Sequence, residues 1–464
     1  MGILAAFMVP HPPMIVPDVG RGSEKDVMET IRSYEKVAGE IAALKPETII
    51  ITSPHSVMYS NYFHISPGSS AKGDFGRFRA PKVSFEETYD HELVNRLTDI
   101  CFEEGFPAGF EGEKDKELDH GTMVPLYFIR KAFSGGNIVR IGLSGLSLEE
   151  HYQLGMYIRQ AVEDTGRRAV FVASGDLSHK LQEYGPYGFA PEGPVYDKRI
   201  MDTCGRGAFG ELLDYDEEFC DKAAECGHRS FVIMAGTFDG MDVEATALSH
   251  QDVTGVGYGI CTFYPKGDNP DRCFLRKRLD RVKAEAKDSD GYVRLARASL
   301  ECYIRTGRKL SLKKDASELL QSLPGEMFQK RAGAFVSIHK NGRLRGCIGT
   351  IAPTTDSVAE EIIQNAVSAS TRDPRFDPIT EDELEWLEIN VDVLGEPEDI
   401  SSMAELDVKR YGVIVTCGRK RGLLLPDLEG VDDVETQVAI AMRKGGIHPE
   451  ENYSLQRFEV IRHK

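Results

Sequence analysis

Short β-branched runs separated by amphipathic helical stretches constrain this chain more than any other feature. Residues 48–52 read Thr-Ile-Ile-Ile-Thr. Such a run lacks the apolar/polar alternation of a half-exposed strand and suits a strand covered on both faces of a parallel sheet. Residues 3–8, 138–143 and 169–173 have the same character. Between them, residues 23–44 place Val27, Ile31, Tyr34 and Ala38 at helical spacing, and residues 148–162 form a second helical stretch. Strands and helices in this order predict an α/β N-terminal domain with a largely parallel, mixed sheet.

Beyond residue 266 the grammar changes. Residues 266–287 are rich in Asp, Arg and Lys and poor in β-branched side chains, as expected of a boundary that is partly helical. Asp288 or Ser289 is then placed to cap a helix carrying Val293, Ala296, Leu300 and Ile304. Residues 334–339 and 344–350 flank Asn341-Gly342, a pair suited to the type I′ turn because both positions need positive φ. Leu387, Ile389, Val391 and Val393 alternate with Glu388, Asn390 and Asp392, giving a strand with one dry face. Residues 412–417 and 423–425 form another strand pair around Arg419-Lys420-Arg421, and helices are expected over 357–370 and 434–443. This predicts a smaller α+β C-terminal domain with an antiparallel sheet. A length of 464 residues fits two cores. The boundaries are 1–265 and 286–464, with 266–285 as linker.

Composition narrows the function. With 56 basic and 74 acidic residues the formal charge is −18. Nucleic-acid affinity depends on neutralising phosphates, so the global balance disfavours nucleic acid and anionic membranes, while a neutral or metal-captured small molecule fits. No run approaches the ~20 apolar residues of a spanning helix. The apolar start, interrupted at Pro10, reads as a buried strand, not a signal peptide. Nine cysteines without a Cys-x-x-Cys pair disfavour a disulfide framework or zinc ribbon and point to a reducing cytoplasm.

Histidines sit where strands end. His11 follows the first strand and precedes Pro12-Pro13; His55 closes Ser53-Pro54-His55 after the 48–52 strand. Ligands of open α/β sheets gather beyond the carboxyl ends of strands. The neighbouring prolines restrict the backbone around both imidazoles, which are good ligands for iron, zinc or copper. Gly175-Asp176-Leu177-Ser178-His179 brings a third histidine to the same edge. Asp119-His120-Gly121-Thr122 opens a helical run, and Gly240-Met241-Asp242-Val243-Glu244 supplies the carboxylates Asp242 and Glu244, with Asp239 as a competitor just before them.

Taken in order, these five segments resemble the LigB-like class III extradiol dioxygenases, a superfamily that also contains the Memo proteins, over residues 1–265. The resemblance implies an Fe(II) centre, with zinc as a substitute, held by His11, His55 and Glu244. It implies His179 as catalytic acid–base and His120 as a second catalytic, substrate-contacting histidine. Cys226 and His228, in Cys226-Gly227-His228, resemble a Memo-type Cys-Gly segment before a helix; they line the pocket or are simply packed. Memo proteins often carry cysteine in place of the ligand carboxylate, and retained Glu244 places this chain nearer the dioxygenases. Two histidines and one carboxylate leave coordination positions open for a small aromatic, catechol-like substrate and dioxygen.

Leu344-Arg345-Gly346-Cys347-Ile348-Gly349-Thr350, Asp373-Pro374-Arg375-Phe376 and Gly422-Leu423-Leu424-Leu425-Pro426 resemble the AMMECR family over residues 286–464. The two resemblances together match proteins of the AmmeMemoRadiSam system, which implies a radical-SAM protein as partner. Cys347 has Arg343 and Arg345 beside it as cations; a reactive thiol would need such a field, whereas a packed structural cysteine needs none, and Arg372, Asp373 and Arg375 either line a polar groove or cap the preceding helix. Three functions remain open: an iron dioxygenase, a metal-dependent non-oxygenase enzyme, and a metal-binding interaction protein. Oligomeric state is equally open.

Overall fold

Four parallel strands of the N-terminal half place their carboxyl ends at one edge of a sheet, and the segments that carry His11, His55 and Asp176 leave it there. The computed structural model describes every residue except 1, 113, 115, 116, 313–317 and 429. It divides into two units, residues 1–277 and 278–464.

In the first unit β1 (Ile3–Val9), β2 (Thr48–Ser53), β7 (Asn137–Gly142) and β8 (Ala169–Ser174) run parallel. They are joined by β9 (Met241–Gln251) and β10 (Tyr258–Asp268), which pair antiparallel, so that the sheet order is β7-β2-β8-β1-β10-β9. β2 and β8 are buried along their whole length, as their uninterrupted apolar runs require. Two minor pairs complete the strands: β3 (Phe63–His64) with β6 (Ala108–Gly109), and the hairpin of β4 (Ser70–Phe75) with β5 (Ala80–Thr88). The helices are α1 (Pro17–Gly20), α2 (Met28–Leu44), α3 (His91–Glu103), α4 (His120–Ala132), α5 (Leu148–Asp164), α6 (Glu192–Gly205), α7 (Glu217–Ala223) and α8 (His228–Gly236). Val27, Ile31, Tyr34, Val37, Ala38 and Ile41 bury one side of α2 against Phe7, Ile49 and Ile51 in the main core. The mixed, largely parallel sheet expected from the sequence is the one observed.

The stretch read as a linker is regular structure. It comprises the end of β10, a short 3-10 turn at Pro270–Arg272, and α9 (Phe274–Asp288), inside which the division between units falls.

The second unit begins with α10 (Gly291–Thr306), capped by Asp290, which accepts the Tyr292 and Val293 amides, and not by Asp288, which ends α9, or Ser289, whose hydroxyl donates to the Ala286 carbonyl. Its remaining helices are α11 (Glu318–Ser322), α12 (Glu326–Gln329), α13 (Val358–Thr371) and α14 (Val434–Lys444). Its strands are β11 (Ala334–Lys340), β12 (Arg343–Gly349), β13 (Leu387–Leu394), β14 (Glu398–Ile400), β15 (Tyr411–Cys417), β16 (Lys420–Leu424) and β17 (Ser454–His463). All pair antiparallel. Asn341 and Gly342 take φ of 56° and 74°, the positive pair a type I′ turn requires. Among the described residues no helix is long and apolar enough to cross a membrane.

Candidate metal centre

Register brings the predicted loops together. Val9 pairs with Ser174 and Thr52 with Ala173, so the segments after β1, β2 and β8 leave the sheet at one level. His11 and His55 converge there, with their Nε2 atoms 3.0 Å apart. The third member is Cys226, in the loop between α7 and α8, with Sγ 3.6 Å from His11 Nε2. The ligand atoms of His11, His55 and Cys226 all lie within 4.8 Å of one another.

The neighbours of these groups prepare them for an ion. Ser174 Oγ donates to the Gly121 carbonyl at 2.6 Å, so its contact with His11 Nδ1, at 3.0 Å, is one in which the imidazole donates. That leaves His11 Nε2 with a bare lone pair facing His55. Ligating histidines are commonly oriented in this way through their other nitrogen. Burial lowers the basicity of His11. Desolvation, followed by the imidazoles of His11 and His120, pushes His55 down to about 4, and desolvation followed by the His11 imidazole pushes His120 down to about 4. Burial pushes the Cys226 thiol up. Donors about 2.1–2.3 Å from one ion would be separated by ~3.0 Å at right angles and ~3.6 Å at tetrahedral angles, so the observed spacings fit a metal. The donor set is two imidazoles and one sulfur.

Glu244 is not part of it. It lies on β9 opposite Tyr264, and the next residue of β10, Phe263, pairs with Ala6. Glu244 is therefore level with Ala5, and His11 is six residues further along the strand direction, or ~20 Å at ~3.3 Å per residue. The Glu244 side chain is 57% exposed and ion-paired with Lys266. Its competitors also have other duties. Asp242 accepts from Asn269 Nδ2 at 2.7 Å, while Asp239 accepts from Tyr152 Oη at 2.8 Å and the Phe274 amide at 2.9 Å.

Asp176 is the carboxylate that stands beside the cluster. One oxygen accepts the His11 amide at 2.7 Å. The other lies 4.0 Å from His11 Nε2 and 3.9 Å from His179 Nε2. The Asp176 amide donates to Cys226 Sγ at 3.3 Å. Gly175 makes this approach possible, since a Cβ there would lie 2.1 Å from the Gly227 α-carbon. His179 stacks on Tyr187, ring centroids 5.0 Å apart.

His120 begins α4 and stacks on His55 at 4.0 Å between centroids. Asp119 caps that helix, accepts Ser53 Oγ at 2.5 Å, and lies 3.7 Å from the fully buried Arg140 guanidinium. His55 and His120 open onto a cleft of about 1120 Å³ whose far wall is the β4–β5 hairpin, with Lys72, Arg77, Phe78 and Phe85. His228 does not line it: its Nε2 contacts the Leu212 carbonyl at 2.9 Å, inside a buried cluster with Tyr196 and Tyr215.

In the second unit Arg345 pairs with Glu383 at 2.9 Å, and Arg375 pairs with Asp373 at 2.6 Å and donates to the Cys347 carbonyl at 3.3 Å. Cys347 Sγ accepts from Ser337 Oγ at 3.2 Å, and burial raises its thiol. These contacts tie the edge strand β12 to the segment after α13, and the arginines are spent on carboxylates.

A mixed sheet with imidazole and thiol donors gathered beyond its carboxyl edge defines the first unit as an α/β domain with a metal-type centre. Residues 5–261 match the catalytic LigB subunit of aromatic ring-opening dioxygenase, and residues 293–463 match AMMECR1. The chain belongs to the LigB family and carries an AMMECR1 domain behind its catalytic-type domain. Protein CA_C1420 of Clostridium acetobutylicum is 41% identical over 473 residues, covering 100% of each chain. A Thermotoga maritima protein is 49% identical over 176 residues, 37% of this chain and 97% of its own. Among solved structures, protein PH0010 of Pyrococcus horikoshii shares 31% identity with a TM-score of 0.34, covering 38% of this chain and 89% of that one. Protein JW3007 of Escherichia coli K12 shares 15% with a TM-score of 0.37, covering 56% and 99%.

Proposed function

We propose that the first unit is a metal-dependent enzyme that takes a small chelating, catechol-like molecule on an ion held by His11, His55 and Cys226. The convergence of those three donors beside the cleft carries the reading. When bound, the ion supplies Lewis acidity and a template for two reactants. The family supports Fe(II), dioxygen and ring opening as the specific chemistry.

The protein's own residues divide the proton work. His120, pushed down to about 4, is neutral at pH 7 and able to accept a proton from a hydroxyl entering the cleft. His179 has the Asp176 carboxylate 3.9 Å from its Nε2 and stands beside the donors, where it can exchange a proton with a bound molecule.

Cys226 supports a second reading, a non-oxygenase metal enzyme or a metal-binding protein without turnover, because thiolate is a softer donor than carboxylate and suits zinc or copper. Anaerobic purification with metal analysis, followed by a catechol panel with and without air, separates these. Oxygen-dependent loss of catechol with iron at one per chain supports the first reading. Stoichiometric metal without turnover supports the second, and absence of metal from native protein overturns both.

A further inference from the structure

The ladder of β13 stops short. The Leu394 amide donates to the Gly333 carbonyl at 2.9 Å, on the β11 side, and the Gly395 amide donates to the Glu459 carbonyl of β17 at 2.8 Å. Main-chain groups of successive strand residues turn to alternate sides, so those of Val393, Val391, Ile389 and Leu387 turn to the β17 side. Pairing with β17 runs from Leu394 opposite Val460 to Val391 opposite His463. Beyond it, the Leu387 carbonyl is taken by the Arg297 guanidinium. Ile389, between the two, has an amide and a carbonyl with no partner on that side among the described residues.

Ile389 lines a cavity of about 500 Å³ that lies wholly within the second unit. Val282 and Ala286 of α9 and Val293 of α10 give it an apolar wall. Its carboxylates are Glu285, Asp288 and Glu388. Glu285 has only Arg281, at 3.9 Å, and the other two have no ion pair among the described residues. Arg297 is committed to the Leu384 and Leu387 carbonyls and to Glu301, which leaves Lys464 against three carboxylates.

A strand edge with open main-chain groups, facing a helix across a groove, is the geometry in which an extended peptide adds to a sheet. We propose that this groove is an interaction surface for an extended segment of a partner protein, which adds to β13 as a short strand through a pair of main-chain hydrogen bonds with Ile389. Register dictates what the segment carries. The residue opposite Ile389 shares its face of the sheet, the buried face with Leu387 and Val391, and therefore meets Val293 and the apolar wall. Its two neighbours fall on the face of Glu388 and Asn390, where the acidic rim favours lysine or arginine. The segment is thus basic, aliphatic, basic. Residues 387–390 span ~13 Å at ~3.3 Å per residue, room for such a core and little more. This surface belongs to the second unit and is independent of the metal reading of the first.

The test titrates the full chain into a fluorescent peptide, acetyl-Ala-Lys-Val-Lys-Ala-amide carrying a dye at its end, and follows anisotropy. Two relatives accompany it, one methylated on the valine nitrogen and one with glutamate in place of both lysines. Methylation removes the donor that would meet the Ile389 carbonyl and leaves the protein untouched, so affinity should fall ~10-fold, the scale of a lost hydrogen bond. The glutamate peptide should also bind ~10-fold more weakly, and Glu388→Lys should narrow that preference or reverse it. Hydrogen exchange of residues 387–390 should slow when the lysine peptide is bound. Equal binding of the methylated and parent peptides overturns strand addition. A glutamate peptide that binds as well as the lysine peptide overturns the basic class of partner. No binding of any peptide at millimolar concentration shows that solvent alone satisfies Ile389, and the proposal falls.

Discussion

Ser174 fixes the proton of His11: the hydroxyl gives its own hydrogen to the Gly121 carbonyl and so can only accept from His11 Nδ1. A residue at the last position of β8 thereby sets the lone pair at the centre of the site. Ser174→Ala should leave the fold intact, because alanine fits the same buried position, but should release the tautomer. Metal affinity should fall ~10–100-fold, the usual cost of losing such an outer partner. Competition with a chelator measures it, and unchanged affinity would show that the tautomer is held by other means.

The pH dependence of metal uptake separates the imidazoles from the thiol. His55, pushed down to about 4, is already neutral at pH 5.5, so it takes no part in proton release above that. His11 is shifted in the same direction by burial. Cys226, pushed up by burial, is still a thiol at pH 7.5 and must lose its proton to bind. Uptake between pH 5.5 and 7.5 should therefore release about one proton per ion, and affinity should rise about tenfold per pH unit. Cys226→Ser should flatten that slope. Release of two or three protons, measured by calorimetry in buffers of different ionisation enthalpy, would return the imidazoles to their ordinary range.

Glu244→Ala should leave metal content at the wild-type level, whereas Cys226→Ala and His11→Ala should abolish it. The exposed pair of Glu244 with Lys266 contributes at most ~1 kcal/mol, so the melting temperature should hardly move. Metal analysis of the three variants checks this. Loss of metal in the glutamate variant alone would restore the two-histidine, one-carboxylate arrangement.

These outcomes trace what was legible in the sequence. His11 and His55 could be placed because each follows a strand whose buried character is written in its apolar run, and parallel strands share a carboxyl edge. Both α/β and α+β grammars followed from periodicity and from Asn341-Gly342. The place of Glu244 is not legible in chain order, which says nothing of register: β9 runs in the direction of β1, and Glu244, near its start, stands at the opposite end of the sheet from His11. Cys226 lies in a loop with no periodicity, marked in the sequence only by its Cys-Gly segment, and the close approach of Gly175 to Gly227 with the hydrogen bonds between Asp176 and Cys226 brings it in. Asp176 stood inside the same Gly-Asp-Leu-Ser-His segment as His179, and three-residue spacing after a strand end was the signal available for it. The 266–285 stretch misled through its charge, which in α9 belongs to a helix whose Leu275, Leu279 and Val282 are buried.

Separating the two units tests whether the metal centre is self-sufficient, and the cut must respect α9. Phe274 belongs to the first unit: its amide donates to Asp239 at 2.9 Å, and its ring sits against Gly210 and beneath the Arg272 guanidinium at 5.3 Å. Lys283, later in the same helix, pairs with Glu385 of the second unit at 2.7 Å. A fragment ending at 265 loses Phe274 and the end of β10, whereas one ending at 277 keeps both. All the donors lie before residue 227, so residues 1–277 expressed alone should hold one metal per chain. Residues 1–265 should bind the same ion but be less stable by ~2 kcal/mol, the scale of exposing one buried phenylalanine environment. Urea titration of the two fragments measures the difference. Equal stability would show that Phe274 packs without consequence. A 1–277 fragment that folds, with native circular dichroism, yet binds no metal would show that residues 278–464 complete the centre.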